Sequence, residues 1–192
     1  MSLTLKPKAR DVGCKELPPT DAGTRTGVPL SIRAALPEDV SLLANIYGHL
    51  SARDMRFRFK QPIEHLGPEE LKNLVDREAG MTSYLAFSGD TAIACATLVR
   101  DAGSDAAEVI LSVRPDWKAR GVSWTLLEDV LARAAAAGLT RVSSVELGED
   151  REAINLQREM GFVARLKSAD PLQFSLVKAL DASPPPARET DA

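Results

Sequence analysis

Apolar residues recur along this chain with two alternating periods, and the alternation predicts its elements. Ser31–Ala35 reads as a short strand, after which Leu36-Pro37-Glu38-Asp39 opens a helix with proline and acids in its first turn. Val40, Leu43, Ile46, Tyr47 and Leu50 recur at helical spacing and form its buried face. A second helix starts at Gly67-Pro68-Glu69-Glu70 and runs to about Arg77, with Leu71, Leu74 and Val75 inside. Ser83–Phe87 and Thr91–Arg100 flank Ser88-Gly89-Asp90, a hairpin signal. The turn Asp101–Asp105 then leads into a strand over Ala107–Arg114, completing an antiparallel meander.

A long helix follows from Val122 to about Ala137 and stops at Gly138. Arg141–Leu147 is a strand, and Arg151–Met160 a helix with Asp150 as N-cap and Gly161 at its end. Phe162–Leu166 and Leu172–Ala179 are the last strands, joined by Lys167–Pro171. This order predicts an α/β domain, a central mixed sheet flanked by helices, over residues 30–180. Residues 1–29 carry Pro7, Pro18, Pro19 and Pro29 without periodicity and read as a flexible N-terminal arm. Residues 181–192, with Pro184-Pro185-Pro186, read as a disordered C-terminal tail. Deleting either segment is therefore expected to leave melting nearly unchanged.

The chemistry concentrates in Val109–Glu128. Its branched apolar run Val109–Val113 is a buried strand that ends at Pro115-Asp116. The basic loop Trp117–Ser123 leads directly into a helix N-terminus. Free N–H groups of a first helical turn and the positive end of its dipole bind anions. Gly121 lets a ligand approach the backbone, and Lys118 and Arg120 add charge. The spacing is neither the Walker loop nor the dinucleotide fingerprint.

Composition narrows the function classes. The chain has 192 residues with 44% hydrophobic and 27% charged content, ordinary for a globular domain. With 24 basic and 27 acidic residues the net charge is −3, which gives no overall attraction to nucleic acid or to an anionic membrane. No apolar run approaches the roughly 20 residues of a membrane span, and the N-terminus lacks a signal-peptide core. Cys14 and Cys95 form no metal spacing or disulfide framework, and two histidines, His49 and His65, cannot supply a three-histidine zinc site. The expectation is a cytoplasmic, metal-free protein. Ser51–Lys60 interleaves four cations with two aromatics; it reads as a loop with phenylalanines inward and arginines solvated, as a short strand-binding patch for nucleic acid, or as a wall for an acyl acceptor.

Three segments carry a family resemblance. Lys118–Ser123 resembles the acetyl-CoA pyrophosphate loop [Q/R]-x-x-G-x-[G/A] of the GNAT N-acetyltransferases, with Gly121 fitting and Lys118 and Ser123 departing. Leu111-Ser112-Val113 resembles the family's L-x-V strand ending. Residues 150–162 resemble N-x-x-A-x-x-L-Y-x-x-x-G-F. The element order is also the family's, so the resemblance covers about residues 31–180. Ser51, Arg58, Phe59 and Glu108 further resemble the acetyltransferase domains of bacterial protein-lysine acetyltransferases.

The resemblance implies a GNAT-like acyl-CoA N-acyltransferase fold and an enzyme moving an acetyl group from acetyl-CoA to a primary amine by direct attack. It implies that a splay between the strands Ala107–Val113 and Arg141–Leu147 admits the pantetheine arm against the backbone of Leu111 and Val113. The pyrophosphate would lie on the amides of Ala119, Arg120, Gly121, Val122 and Ser123, with Lys118 and Arg120 beside it. Glu108 is the candidate base and Glu146 its backup. Trp117 marks the loop entrance or simply packs. Asp150 stands where many members have Asn. Gln157 stands where many have a Tyr that protonates the leaving thiolate, and Gln cannot act as an acid.

These departures motivate a second reading, a degenerate module that binds acyl-CoA to regulate or sense without turnover. The acceptor is an amine, a protein lysine or a small molecule, and a homodimer is compatible with the resemblance. Cys95 lies mid-strand and reads as a core residue rather than a nucleophile.

Overall fold

The computed structural model describes residues 18–59, 65–76, 80–101 and 103–181. Eight strands form one sheet in the order β1-β2-β3-β4-β5-β6-β8-β7. They are β1 (Thr20–Gly23), β2 (Pro29–Ala34), β3 (Met81–Ser88), β4 (Thr91–Arg100), β5 (Ala106–Val113), β6 (Arg141–Leu147), β7 (Val163–Ala169) and β8 (Leu172–Ala179). The helices are α1 (Val40–Gly48), α2 (Ala52–Phe59), α3 (Pro68–Asn73), α4 (Val122–Ala136) and α5 (Arg151–Glu159). Neighbouring strands are antiparallel except β5 and β6, which are parallel. The mixed sheet and the β3–β4–β5 meander agree with the sequence expectation.

Strand alternation divides the apolar side chains between two cores. On one face α4 buries Val122, Leu126, Leu127 and Val130 against Ile32, Ala86, Ala94 and Val109, with Phe162 and Leu176 closing the end near α5. Leu126, Leu127 and Val130 are almost wholly buried, each contributing about 1.5–3 kcal/mol relative to exposure. On the other face α1, α2 and α3 bring Leu43, Ile46, Tyr47, Met55 and Leu71 onto Leu85 and Cys95. Cys95 is a buried core residue, as its mid-strand position suggested.

Two sequence expectations fail. The stretch Ser51–Lys60 is helical as α2 over Ala52–Phe59, with Lys60 outside the described residues. Its start is a capping box: the Ser51 hydroxyl accepts from Asp54 N–H at 3.1 Å while the Asp54 carboxylate accepts from Ser51 N–H at 3.3 Å and from the Ser51 hydroxyl at 2.8 Å. Nor are all its arginines solvated, since Arg58 is 7% exposed.

The arm expected over residues 1–29 contains a strand in its described part, from residue 18 on; residues 1–17 lie outside the described residues. β1 pairs with β2 from Thr20↔Ile32 to Gly23↔Pro29. Its attachment is polar, which is why apolar periodicity does not reveal it. The buried Arg133 on α4 donates from Nη2 to the Pro18 carbonyl at 3.1 Å, Thr20 Oγ1 at 2.8 Å and the Ile32 carbonyl at 3.3 Å. Its Nε donates to Asp129 at 2.6 Å.

Removing residues 18–28 takes the Pro18 carbonyl and Thr20 Oγ1 from Arg133 and leaves Asp129 and the Ile32 carbonyl, and a hydrogen bond from a charged group contributes about 1.5–3 kcal/mol. The loss of both is expected to destabilise by about 3 kcal/mol, lowering Tm by roughly 6–12 °C in a domain of this size. Thermal melting checks it; an unchanged Tm would show that β1 contributes nothing.

Candidate active site

β5 and β6 pair only through Ala106↔Arg141, Ala107↔Val142 and Glu108↔Ser143. Beyond Glu108 the two strands part. β5 remains paired to β4 as far as Val113, and β6 to β8 as far as Leu147, so each keeps one satisfied edge while the facing edges have no ladder partner. Backbone N–H and C=O groups along such a gap require other partners. The gap runs through the sheet as a cleft of about 500 Å³. Asp54, Phe57 and Arg58 of α2 line it from one face, and Ala153, Leu156 and Gln157 of α5 from the other.

The basic loop lies at the mouth. A short 3-10 turn over Pro115–Trp117 precedes it, and Ala119 and Gly121 both adopt left-handed backbone, with φ of 57° and 77°. Left-handed alanine is uncommon and marks a backbone shaped by its surroundings. Gly121 is the N-cap of α4 and has no side chain to offer, so no side chain caps the first-turn amides. Lys118, Ala119, Gly121 and Ser123 line the cleft, as do Leu111 and Val113. Val122 packs in the core. Arg120 stacks on Trp117 at 4.9 Å, and Trp117 packs against the α4 core. The loop is also braced by the turn between β1 and β2: Thr26 Oγ1 donates to the Arg120 carbonyl at 2.6 Å, and Thr24 lies 3.1 Å from where a Cβ on Gly121 would be. No residue pattern in the chain reveals this brace.

Lys118 reaches across the mouth to an ion pair with Asp54 of α2. Arg56 makes a second tie to Glu149 at 3.0 Å. Burial pushes the Asp54 carboxyl up, but hydrogen bonds from Lys118 and Ser51 outweigh it and hold the group below its ordinary range. Asp150 goes the other way. Burial raises it, opposed by the Ala153 N–H and the Lys118 charge, and the neighbouring Glu152 and Asp54 raise it again. Its carboxylate accepts from Ala153 N–H at 3.2 Å, the N-cap bond expected from the sequence.

The two candidate bases are separated. Glu108 sits on the last residue pair before the strands part, opposite Val99 and Ser143, and is not among the side chains lining the cleft. By alternation it shares the face of Ile110 and Ser112, toward α1 and α2. Glu146 lines the cleft on the α5 side, where its carboxylate accepts from Gln157 Nε2 at 2.8 Å. The Ser144 hydroxyl donates to the Gln157 carbonyl oxygen, so Gln157 spans two partners on β6 and is buried.

A profile of the Acetyltransferase (GNAT) family matches residues 49–162. The chain belongs to the GNAT acetyltransferase family. Among curated relatives, an amino-acid acetyltransferase of Azotobacter vinelandii is 31% identical over 137 residues, a match covering 60% of this chain and 32% of that one. The chain thus spans about a third of that relative's length. The GNAT domain of S. lividans PAT superposes with a TM-score of 0.78 at 22% identity, covering 86% of this chain and 100% of that one. A spermidine N-acetyltransferase from Vibrio cholerae, solved with CoA and spermine, gives 0.67 at 17% identity over 80% of this chain and 96% of its own. These similarities establish the GNAT fold. Among the described residues no helix is long and apolar enough to cross a membrane.

Two substitutions probe the cleft. Ser123→Glu puts a carboxylate in the first turn of α4, where the helix dipole favours it, so Tm should hold or rise slightly. The same charge would repel an anion on the loop, and the affinity for CoA should fall at least ~10-fold. Calorimetric titration decides; undiminished affinity would remove the loop from the site.

Asp150→Asn keeps an oxygen for Ala153 N–H and removes the buried charge. Because the folded pKa of Asp150 is raised, the carboxyl favours the fold below its unfolded pKa and loses that contribution as pH rises through the folded value. The Asn variant should therefore be more stable than the parent at neutral pH, with the difference closing in acid. A gap that stays constant across pH would contradict the assignment.

Proposed function

We propose that the chain is an acetyl-CoA-dependent N-acetyltransferase acting by direct attack of a primary amine on the thioester. The observation that carries this reading is the parting of β5 and β6 directly beside an uncapped helix N-terminus. One feature offers unpaired strand amides to an amide-bearing arm, and the other offers helix amides to a pyrophosphate. Leu111 and Val113 supply the backbone for pantetheine. Ala119, Arg120, Gly121, Val122 and Ser123 supply amides for the phosphates, and Lys118 leaves its pairing with Asp54 to share its charge with them.

The acceptor enters between α2 and β5. An ammonium has no lone pair, so it must lose a proton before its nitrogen bonds to the acetyl carbon and the carbon–sulfur bond breaks. Glu108 takes that proton. It stands on the acceptor face but back from the cleft, so transfer runs through an intervening water. Glu146 is already held by Gln157 on the opposite face and serves as a cleft wall. Gln157, fixed between Ser144 and Glu146, has no proton to give the departing sulfur, and this favours a second reading in which the domain binds acyl-CoA without turnover.

Kinetics of Glu108→Gln separates the two. The variant is nearly isosteric and should lose about 10²–10⁴-fold in kcat with acetyl-CoA affinity almost unchanged. Raising pH should partly restore the rate, because more acceptor is then neutral. Equal rates for variant and parent at two pH values would exclude Glu108 as the base, and binding of acetyl-CoA with no turnover on any amine would favour the second reading.

A further inference from the structure

β5 turns one polar side chain into the cleft that the fold itself leaves unanswered. Ser112 stands between Leu111 and Val113, the two residues assigned to pantetheine. It lies opposite Cys95 on β4, whose side chain packs with the α1 cluster, so the Ser112 side chain is on the face toward α1 and α2. It is 5% exposed and lines the cleft, yet its hydroxyl has no hydrogen-bond partner among the described residues. The Tyr47 hydroxyl is close enough to influence it, but without hydrogen-bond geometry, and accepts instead from Arg58 Nε at 3.3 Å. A buried hydroxyl without a partner costs free energy that alanine would not. Water can answer it while the cleft is open. A ligand that fills the cleft displaces water from so enclosed a position and must then supply the partner itself.

The arm held by Leu111 and Val113 narrows which group this is. Its amides meet the free edge of β5, where backbone N–H and C=O groups lie in the plane of the sheet. Ser112 projects out of that plane. The polar atom left for it is the thioester carbonyl oxygen, an acceptor matched to a donor. Negative charge develops on that oxygen as the amine attacks, so a donor fixed there favours the transition state over the ground state. Glu108 lies farther back on the same face of β5, which puts base and donor on the side from which the acceptor enters.

We propose that the Ser112 hydroxyl donates to the thioester carbonyl oxygen and is a catalytic residue of the transfer. This rests on the acetyl-transfer reading above and adds an oxyanion donor to it. The amine nitrogen, its proton already passed to Glu108 through water, bonds to the acetyl carbon, and the carbonyl π pair moves onto oxygen. Ser112 bonds that oxyanion and keeps its own proton. The pair then returns, the carbon–sulfur bond breaks, and the thiolate leaves with its electrons.

Ser112→Ala is the test. It removes an unpaired hydroxyl, so the free variant should melt no lower than the parent. Two measurements need no turnover. Acetyl-CoA isotope-labelled at the carbonyl should, when bound, show its C=O stretch at lower frequency in the parent than in the variant. Affinities are then compared for acetyl-CoA and S-ethyl-CoA, a thioether that lacks the carbonyl oxygen. The preference for acetyl-CoA should shrink by about 2–10-fold in Ser112→Ala, the worth of one neutral hydrogen bond, while affinity for S-ethyl-CoA holds.

The rate should fall further than the affinity, by about 10²–10³-fold in kcat. Unlike the loss in Glu108→Gln, this one should not recover as pH rises, because Ser112 passes on no proton. An unchanged stretch or an unchanged preference would overturn the assignment. If neither thioester nor thioether binds the parent, the transfer reading falls and this one with it. If both bind and no amine is acetylated, the transfer reading falls, while the stretch and the affinity pair still decide whether Ser112 holds the carbonyl.

Discussion

The parting of β5 from β6 is the constraint on which the rest of the molecule depends. A parallel pair in the middle of an eight-stranded sheet would ordinarily be zipped along its length and buried on both faces. Here pairing stops after Glu108, and the sheet survives because each strand keeps an antiparallel neighbour on its other side. Those neighbours, with α4 and α5 packed over one face and α1 and α2 over the other, hold the edges open at a fixed width. The unpaired backbone groups are then a standing site for an amide-bearing ligand. The helix that begins just past β5 places its uncapped amides at the same opening. Fold stability and ligand capacity therefore arise from the same strand arrangement.

Most of this arrangement was legible in the sequence, and the reasons are particular. The run Val109–Val113 followed by Lys118–Gly121 and the period of Leu126, Leu127 and Val130 located strand, loop and helix, because burial imposes period and loops impose glycine. What escaped was held by polar contacts. β1 carries little apolar pattern and is fixed by one buried arginine whose partners are more than 100 residues away in sequence. α2 was hidden by its alternating arginines and phenylalanines, although Ser51 and Asp54 stand at capping-box spacing. Glu108 and Glu146 could be placed on strands, but which lined the cleft depended on where pairing ended.

The brace between Thr24–Thr26 and the loop changes how Gly121 is understood. From the sequence it is a glycine that permits close approach of a phosphate, and a substitution there would seem to act on the ligand alone. In the structure it also requires left-handed backbone and faces Thr24. Any side chain at this position strains the loop and pushes on the β1–β2 turn together. Fold and ligand effects are inseparable there, whereas Ser123, in the first turn of α4 where the dipole welcomes negative charge, separates them.

The position of Gln157 bears on how chemistry is divided within the cleft. Acyl transfer asks for two proton movements, one from the attacking ammonium and one to the departing thiolate. A thiol titrates near 8.5, so a free thiolate is only modestly unfavourable at neutral pH, whereas an alkylammonium near 10.4 holds its proton about two units more tightly. The barrier therefore rests mainly on deprotonating the acceptor. A side chain that cannot donate a proton to sulfur is tolerable where a carboxylate can receive one from nitrogen. Gln157 accepts from Ser144 and donates to Glu146, bracing β6 beside the gap. In this chain the position that could have held an acid instead braces one wall of the cleft, and under the proposed mechanism the proton chemistry falls to the opposite face, on which Glu108 stands.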